Sequence, residues 1–199
     1  MQRIVVLIIL AEVWFGSISA QAVPTYSRNF NLPIPSLGGS NIGGKGPMDD
    51  AIIEITGHGI IHDLEVEINL THENIFDLEI YLESPSGTVV KLISYAPKTE
   101  FFFGEDYIHT IFDDKALISI TDGAAPFSGR FKPIAPSMLS TFNGEDIYGE
   151  WKLKVADVRY WDTGTFEGFE LAITTPEPNT LLLLLMGLYG ITRLRSRTV

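Results

Sequence analysis

The chain has 199 residues, 45% of them hydrophobic, with a formal net charge of −11 and no cysteine. The acidic balance argues against nucleic acid as a partner, because phosphate contacts need clusters of lysine and arginine. Without disulfide bonds, the fold must be held by its hydrophobic core, by bound metal, or by both.

Residues 1–22 have the features of a secretory signal peptide in the required order. Arg3 supplies a positive charge, residues 4–10 are apolar, and residues 20–22 form an Ala-x-Ala cleavage site. The apolar run is shorter than the ~20 residues that span a bilayer. The alternative is a buried N-terminal helix. We expect a mature chain that begins near Val23, outside the cytoplasm.

Residues 23–49 are rich in proline and glycine. This composition predicts an irregular lead-in with one short edge strand near residues 30–34. Residues 51–56 form the first clear strand, and a glycine-rich turn leads from it into the next strand at residues 60–71.

The clearest strand pattern lies between residues 60 and 93. Apolar and polar residues alternate from 64 to 71 and again from 77 to 83, as in half-buried strands. Residues 84–87 read Ser-Pro-Ser-Gly, which is typical of a type I turn. The sequence therefore predicts a hairpin whose return strand covers residues 88–93.

The region from residue 95 to residue 138 is predicted mostly as loop. Three phenylalanines stand together at 101–103, and three consecutive aromatics cannot all face one core. We interpret them as loop residues that plug the edge of the core, with an exposed ligand-contacting patch as the alternative. Residues 110–116 are predicted as the end of a strand followed by an acidic turn. Residues 126–138 are predicted as a long connection that contains prolines.

Two further strands complete the predicted domain. Residues 149–155 alternate with tryptophan, leucine and valine inward, residues 157–164 form a second acidic turn, and residues 169–173 alternate in a last strand. No amphipathic helix of useful length is predicted. Many short strands with Gly, Pro and Asp turns predict an all-β sandwich over residues 50–175.

The remaining segment, residues 176–199, breaks the strand pattern. Residues 180–192 are apolar or small, and at ~1.5 Å per residue they span about 20 Å, short of the ~30 Å hydrocarbon core. The segment is marginal as a plain membrane anchor and makes better sense as a sorting signal with a short hydrophobic tail. The residues predicted to carry this signal are Pro176, Glu177, Pro178, Arg193, Arg195 and Arg197.

Acidic residues gather in the predicted turns, namely Asp77, Asp113, Asp114, Asp157 and Asp162. Calcium takes roughly six to eight oxygen ligands, which carboxylates and turn carbonyls supply. We therefore predict calcium as the cofactor and these five residues as its candidate ligands. The alternative is that each aspartate caps a turn by accepting hydrogen bonds from nearby N–H groups.

Several motifs occur in a fixed order over residues 50–174: Ile68-x-Leu70-Thr71-His72, Asp77-Leu78-x-Ile80-x-Leu82, Ser84-Pro85-Ser86-Gly87-Thr88, Phe112-Asp113-Asp114-x-Ala116 and Gly149-x-Trp151-x-Leu153-x-Val155-x-Asp157. Together they resemble the P domain of proprotein convertases, also called P/Homo B. The resemblance implies a jelly-roll-like β-sandwich, often with calcium, and a structural strand-end histidine, His72, hydrogen-bonded near Asp77. Phe169 departs from the family's usual tryptophan but remains an inward aromatic.

In the family this domain usually follows a subtilisin-like serine protease domain, which it stabilises. The sequence has four histidines, His58, His62, His72 and His109, but no Gly-x-Ser-x-Gly or Gly-Thr-Ser motif to accompany them. We therefore predict that the chain is not an enzyme and has no catalytic residues. Serine-type endopeptidase activity is associated with the family through the protease domain that usually precedes the P domain.

The tail resembles the PEP-CTERM sorting signal of Gram-negative bacteria, with Pro-Glu-Pro at 176–178, Gly187-Leu188-x-Gly190 and the terminal arginines. The resemblance implies recognition by an exosortase, a context of exopolysaccharide production, and contact with the membrane before processing. The predicted location is the cell envelope, the outer surface or the extracellular space.

The sequence thus predicts a signal peptide (1–22), a lead-in (23–49), a sandwich (50–175) and a sorting segment (176–199). The function that we infer is a secreted, surface-sorted, non-catalytic binding or structural protein, with exopolysaccharide or a secreted protease as candidate partner. The alternative is an accessory domain that stabilises a secreted subtilisin-like serine endopeptidase.

Overall fold

The computed structural model of the chain describes residues 23–36, 48–94, 105–159 and 161–175. Nine strands lie within these ranges: β1 (Thr25–Ile34), β2 (Ala51–Ile55), β3 (Asp63–His72), β4 (Leu78–Glu83), β5 (Val89–Ile93), β6 (Tyr107–Phe112), β7 (Phe127–Phe131), β8 (Gly149–Asp157) and β9 (Gly164–Thr174). The only helices of the described ranges are three short 3₁₀ helices: Ile75–Asp77, Ile120–Asp122 and Leu139–Phe142.

The strands form two sheets. One has five strands in the order β1-β9-β3-β6-β7, and the other has four in the order β2-β8-β4-β5. Neighbouring strands are antiparallel except β6 and β7, which are parallel. The predicted all-β sandwich is confirmed.

The alternating apolar residues of the sequence form the core between the sheets. In β3, the side chains of Leu64, Val66, Ile68 and Leu70 are all at most 3% exposed, whereas the residues between them are partly accessible. An inward row of this kind is what a period of two produces when one face of the sheet is buried.

Trp151 on β8 is the largest fully buried side chain of the described residues. Its ring packs edge-on against Phe142 with centroids 5.3 Å apart. The indole N–H donates a hydrogen bond to the backbone oxygen of Ile147 at 3.0 Å, so the polar part of this buried ring is satisfied.

The predicted turn between β4 and β5 is confirmed. The Gly87 N–H donates to the Ser84 oxygen at 2.9 Å, and Gly87 has φ +88°, a conformation that favours glycine. The carboxylate of Glu145 accepts hydrogen bonds from the hydroxyls of Ser86 and Thr88 at 2.6 and 2.5 Å. This loop residue therefore fixes the hairpin to the rest of the sandwich.

Two strand predictions are corrected. β1 begins at Thr25 rather than near residue 30, and it is indeed an edge strand, beside β9. The predicted connection at 126–138 contains β7, which pairs in parallel with β6. Only the first and last residues of β7 are buried, so its sequence has no alternation from which a strand could be predicted.

Candidate functional site

A buried histidine–aspartate pair lies where β3 and β8 end. His72 is 3% exposed and Asp157 is 0% exposed. The Nδ1 of His72 accepts a hydrogen bond from the Asn74 N–H at 3.1 Å, which places the ring hydrogen on Nε2. That Nε2 lies 3.3 Å from Oδ2 of Asp157, but the contact lacks hydrogen-bond geometry, and neither atom has another hydrogen-bond partner in the described chain. The two buried groups therefore interact electrostatically, without a well-aligned hydrogen bond.

The predicted structural role of His72 fits this geometry, but its carboxylate partner is Asp157 and not Asp77. The reason is the strand register, since Asp157 pairs with Leu78 across β8 and β4. That pairing brings the end of β8 beside the end of β3, although the two strand ends are distant in sequence.

Asp77 and Asp162 extend this buried cluster. Asp77 is 8% exposed, and its Oδ2 accepts a hydrogen bond from the Asn74 side-chain amide at 3.1 Å. Burial, repulsion from Asp157 and a hydrogen bond shared with Asp162 raise the pKa of Asp77 to about 6. Three of the five predicted metal ligands, Asp77, Asp157 and Asp162, are thus neighbours.

The raised pKa of Asp77 predicts a pH dependence of stability. The folded-state pKa is about 6 and the unfolded value is about 3.9, so the folded state holds the proton more tightly. The contribution of Asp77 to the free energy of unfolding is fully present below pH ~4, and it is lost as the pH rises through ~6. With allowance for solvent screening, we expect a loss of about 1–2 kcal/mol.

Asp77→Asn imitates the protonated carboxyl, so this variant should be more stable than the wild type at pH 8 and equal to it near pH 4. Urea unfolding at a series of pH values measures this difference. The control is Asp122→Asn, because Asp122 is an exposed carboxyl. A difference in the free energy of unfolding between the wild type and Asp77→Asn that stays constant from pH 4 to pH 8 would contradict the raised pKa of Asp77.

Asp113 and Asp114 lie at the other end of β3. They follow Phe112, which pairs with Val66, and His72 comes six positions after Val66 in the same strand. At ~3.3 Å per residue, about 20 Å separates them from the buried pair. The structure therefore divides the five predicted ligands between two ends of the sandwich.

The hydrogen bonds of Asp113 and Asp114 are those of turn-capping residues. Asp113 accepts from the Lys115 N–H at 2.8 Å and from the Arg130 guanidinium at 3.1 Å. Asp114 accepts from the N–H groups of Leu139 and Ser140 at 2.8 Å each, at the start of a 3₁₀ helix. The capping alternative of the sequence analysis thus describes both side chains.

Within the described ranges, no group of three His, Asp or Glu side chains is arranged to hold a metal ion. Calcium at the five predicted aspartates therefore stays a prediction. The nearness of Asp157 and Asp162 to Asp77 shows instead in the raised pKa of Asp77.

An acidic cavity of about 250 Å³ lies beside His72 and was not predicted from the sequence. Its lining includes Glu73, Glu105 and Asp106, together with Gly164. A Cβ on Gly164 would lie 2.3 Å from the backbone oxygen of Thr71, so only glycine fits there. The carboxylates come from separate segments of the chain, and for this reason no local motif predicts them.

Two exposed histidines also pair with carboxylates. His58 Nδ1 lies 2.7 Å from Asp146 Oδ2, and His109 Nδ1 lies 2.6 Å from Glu67 Oε1. The bond from His58, with backbone N–H donors, lowers the pKa of Asp146 to about 2. In the part of the chain that the structure describes, no serine hydroxyl is hydrogen-bonded to a histidine, so no Ser–His–Asp arrangement is formed there.

Several predictions fall outside the described residues. They concern the signal peptide, the phenylalanines at 101–103, and the sorting residues Pro176, Glu177, Pro178, Arg193, Arg195 and Arg197. Among the described residues, no helix has the length and apolar character needed to cross a membrane.

The two sheets and the acidic cluster at one end define a β-sandwich module. The family model of the proprotein convertase P-domain matches residues 61–173, more than half of the 199 residues. The chain belongs to the proprotein convertase P-domain family.

Solved structures with a similar chain course include a serine protease of Aeromonas sobria, at 17% identity and a TM-score of 0.46, over 77% of this chain and 26% of that one. The complex of this protease with a chaperone gives 17% identity and a TM-score of 0.42, over 78% and 28% of the two chains. The chain thus spans about a quarter of the length of these structures. No curated protein matches it.

Proposed function

We propose that this chain is a non-catalytic P-domain module that is secreted and sorted to the surface of a Gram-negative bacterium. There it would act as a binding or structural protein of the envelope or extracellular matrix, with exopolysaccharide as a candidate partner. The observation that carries the proposal is the set of contacts made by the histidines. The His72–Asp157 pair is buried, and the exposed histidines pair with carboxylates rather than with serines.

The proposal for sorting rests on the sequence of residues 176–199. An exosortase-type enzyme would recognise Pro176, Glu177 and Pro178 together with the hydrophobic stretch and the terminal arginines. Before this processing, the hydrophobic stretch would hold the protein at the membrane.

Surface sorting is tested in an exosortase-bearing host. The unaltered chain should become accessible to protease added to intact cells, whereas a chain with all three residues 176–178 changed to alanine should stay in the inner-membrane fraction. Equal surface exposure of both chains would contradict the sorting proposal. The absence of catalysis is tested separately with the purified protein, since peptide cleavage that a single Ser or Asp substitution abolishes would refute it.

A second candidate function is that of an accessory domain for a separately encoded subtilisin-like serine endopeptidase. Membership of the proprotein convertase P-domain family favours this candidate. Under this alternative, the protein should co-purify with a secreted protease and lengthen the half-life of that protease at elevated temperature. A protease whose half-life is the same with and without the module would argue against it.

Calcium is the proposed cofactor, and thermal unfolding measures its binding. A ligand that binds only the folded state stabilises it by about 2.7 kcal/mol at a hundredfold excess over Kd. We expect the purified protein to unfold several degrees higher with calcium than with chelator. Asp77→Asn should lose this shift if Asp77, Asp157 and Asp162 hold the ion, and Asp113→Asn should lose it if the other turn does. An unchanged melting temperature would contradict calcium binding and leave these aspartates as residues that cap turns.

A further inference from the structure

The described chain enters and leaves the sandwich at the same end. The N–H of Ile173 donates a hydrogen bond to the oxygen of Pro24 at 3.1 Å, and the N–H of His62 donates to the oxygen of Thr174 at 2.9 Å. Thr174 also pairs with Asp63, the first residue of β3. We call this the exit end. The segments that precede Val23 and follow Thr175 in sequence both connect to it.

Large apolar side chains are exposed at the exit end. Leu117 is 98% exposed, and four further residues are about half exposed: Val23 at 48%, and Ile60, Met138 and Tyr148 at 52% each. Trp161, 91% exposed, and Ile108, 45% exposed, lie toward the opposite end, so the exit end carries the larger share of the exposed apolar side chains of the described residues. Single exposed apolar residues are ordinary on protein surfaces, whereas a concentration of them is typical of an interaction surface.

Contacts within the fold place Leu117 and Met138 at this end. Lys115, two residues before Leu117, forms an ion pair with Asp63, which pairs with Thr174. Asp114 accepts the N–H of Leu139 at 2.8 Å, so Met138 stands beside the same loop.

A second set of contacts places Ile60 and Tyr148 there. Ile60 forms a β-bridge with Asp146, and Asp146 accepts the N–H of Tyr148 at 3.1 Å. The ring of Tyr148 stacks on His58 with centroids 4.5 Å apart. A Cβ on Gly59 would lie 3.0 Å from the Thr175 side chain, which ties this loop to the end of the described chain.

Three carboxylates at the exit end are occupied within the protein. Asp63 pairs with Lys115, Asp146 with His58, and Asp114 accepts two backbone N–H groups. The opposite end, beside His72, carries the acidic cavity. Paired charges cost less free energy to bring to an apolar boundary than free carboxylates do. The exit end is therefore better suited to contact an apolar boundary than the end with the acidic cavity.

We propose that the exit end is a membrane-contacting surface, and that Leu117, Met138, Ile60 and Tyr148 enter the lipid interface while the chain is held there by residues 176–199. The inference rests on the proposed sorting function, because that tail brings a membrane to this end. The acidic net charge means that apolar contact, and not attraction to anionic lipid, provides the binding. Side chains in this position reach about 5–10 Å into the boundary between headgroups and acyl chains.

The full chain reconstituted in vesicles of phosphatidylethanolamine and phosphatidylcholine tests the proposal. Because the sequence has no cysteine, Leu117→Cys, Met138→Cys and Glu105→Cys each introduce one labelling site for an environment-sensitive fluorophore. Glu105 lines the acidic cavity at the opposite end and is the matched control. The labels at 117 and 138 should shift to shorter wavelength and be quenched by lipids brominated in the acyl chain, because both labels would lie in the lipid interface, whereas the label at 105 should change little.

The outcomes separate this inference from the sorting proposal. If the protein does not float with the vesicles, residues 176–199 do not hold it at a membrane and the membrane-contacting surface is refuted, whereas sorting is decided by the protease-accessibility test on cells. If the protein floats but all three labels report water, the sorting proposal stands and the membrane-contacting surface is refuted. A wavelength shift at 117 that occurs without vesicles and grows with protein concentration would also refute it, because the exit end would then bind a second copy of this chain.

Discussion

Asp157→Ala is expected to destabilise the protein by about 3 kcal/mol or more, the usual result of removing one partner of a buried pair. The substitution removes the carboxylate that faces the buried Nε2 of His72 at 3.3 Å, and the N–H of Arg159 loses the carboxylate oxygen that it contacts at 2.7 Å. Relief of the repulsion between Asp157 and Asp77 offsets a small part of this cost. Urea unfolding at pH 7, followed by circular dichroism, measures the loss.

Two comparison variants make this result specific. Asp157→Asn keeps the size of the side chain but has one acceptor oxygen for the two groups that face Oδ1 and Oδ2 of Asp157. It should therefore lose an intermediate amount, about 1–2 kcal/mol. Asp122→Ala removes an exposed carboxylate and should stay within ~0.5 kcal/mol of the wild type. If Asp157→Ala is as close in stability to the wild type as Asp122→Ala is, the contact between His72 and Asp157 does not stabilise the protein in solution.

Ile80→Ala is expected to cost about 2–5 kcal/mol, the range for truncating a buried isoleucine in a core that cannot collapse fully. Ile80 is 0% exposed and lies in β4 between Ile93 of β5 and Val155 of β8. Thermal or urea unfolding measures the loss.

The matched control for this substitution is Ile52→Ala on the edge strand β2. Ile52 is only partly buried, so the same change of side chain should cost about 1 kcal/mol or less. Equal losses at the two positions would mean that β4 is shifted by one residue in solution, since such a shift moves every side chain of a strand to the opposite face.

The strands with regular alternation could be predicted from sequence because burial on one face imposes a period of two. This holds for β3, β4 and β8, whose inward residues were correctly assigned. The pattern fails for β7, where glycine and polar residues separate Phe127 from Phe131. That strand forms because β6 offers it a hydrogen-bonding edge, a condition that no local sequence encodes.

The candidate site was predicted less completely. The acidic turns were recognised as places where carboxylates gather, yet only the register of β4 with β8 decides that Asp157 meets His72. The same tertiary arrangement separates Asp113 and Asp114 from this cluster, and it assembles the acidic cavity from segments that share no motif.

The amino-acid sequence by itself determined the class of fold, the hairpin at residues 84–87 and the family. Alternation, turn residues and ordered motifs are local properties, and each can be read without knowing which strands become neighbours. The tertiary structure alone decided which carboxylates become neighbours of Asp77, which histidine is buried, and which exposed apolar side chains lie at the exit end. These features depend on the pairing of strands that are far apart in sequence, and strand pairing is fixed only when the two sheets close over one core.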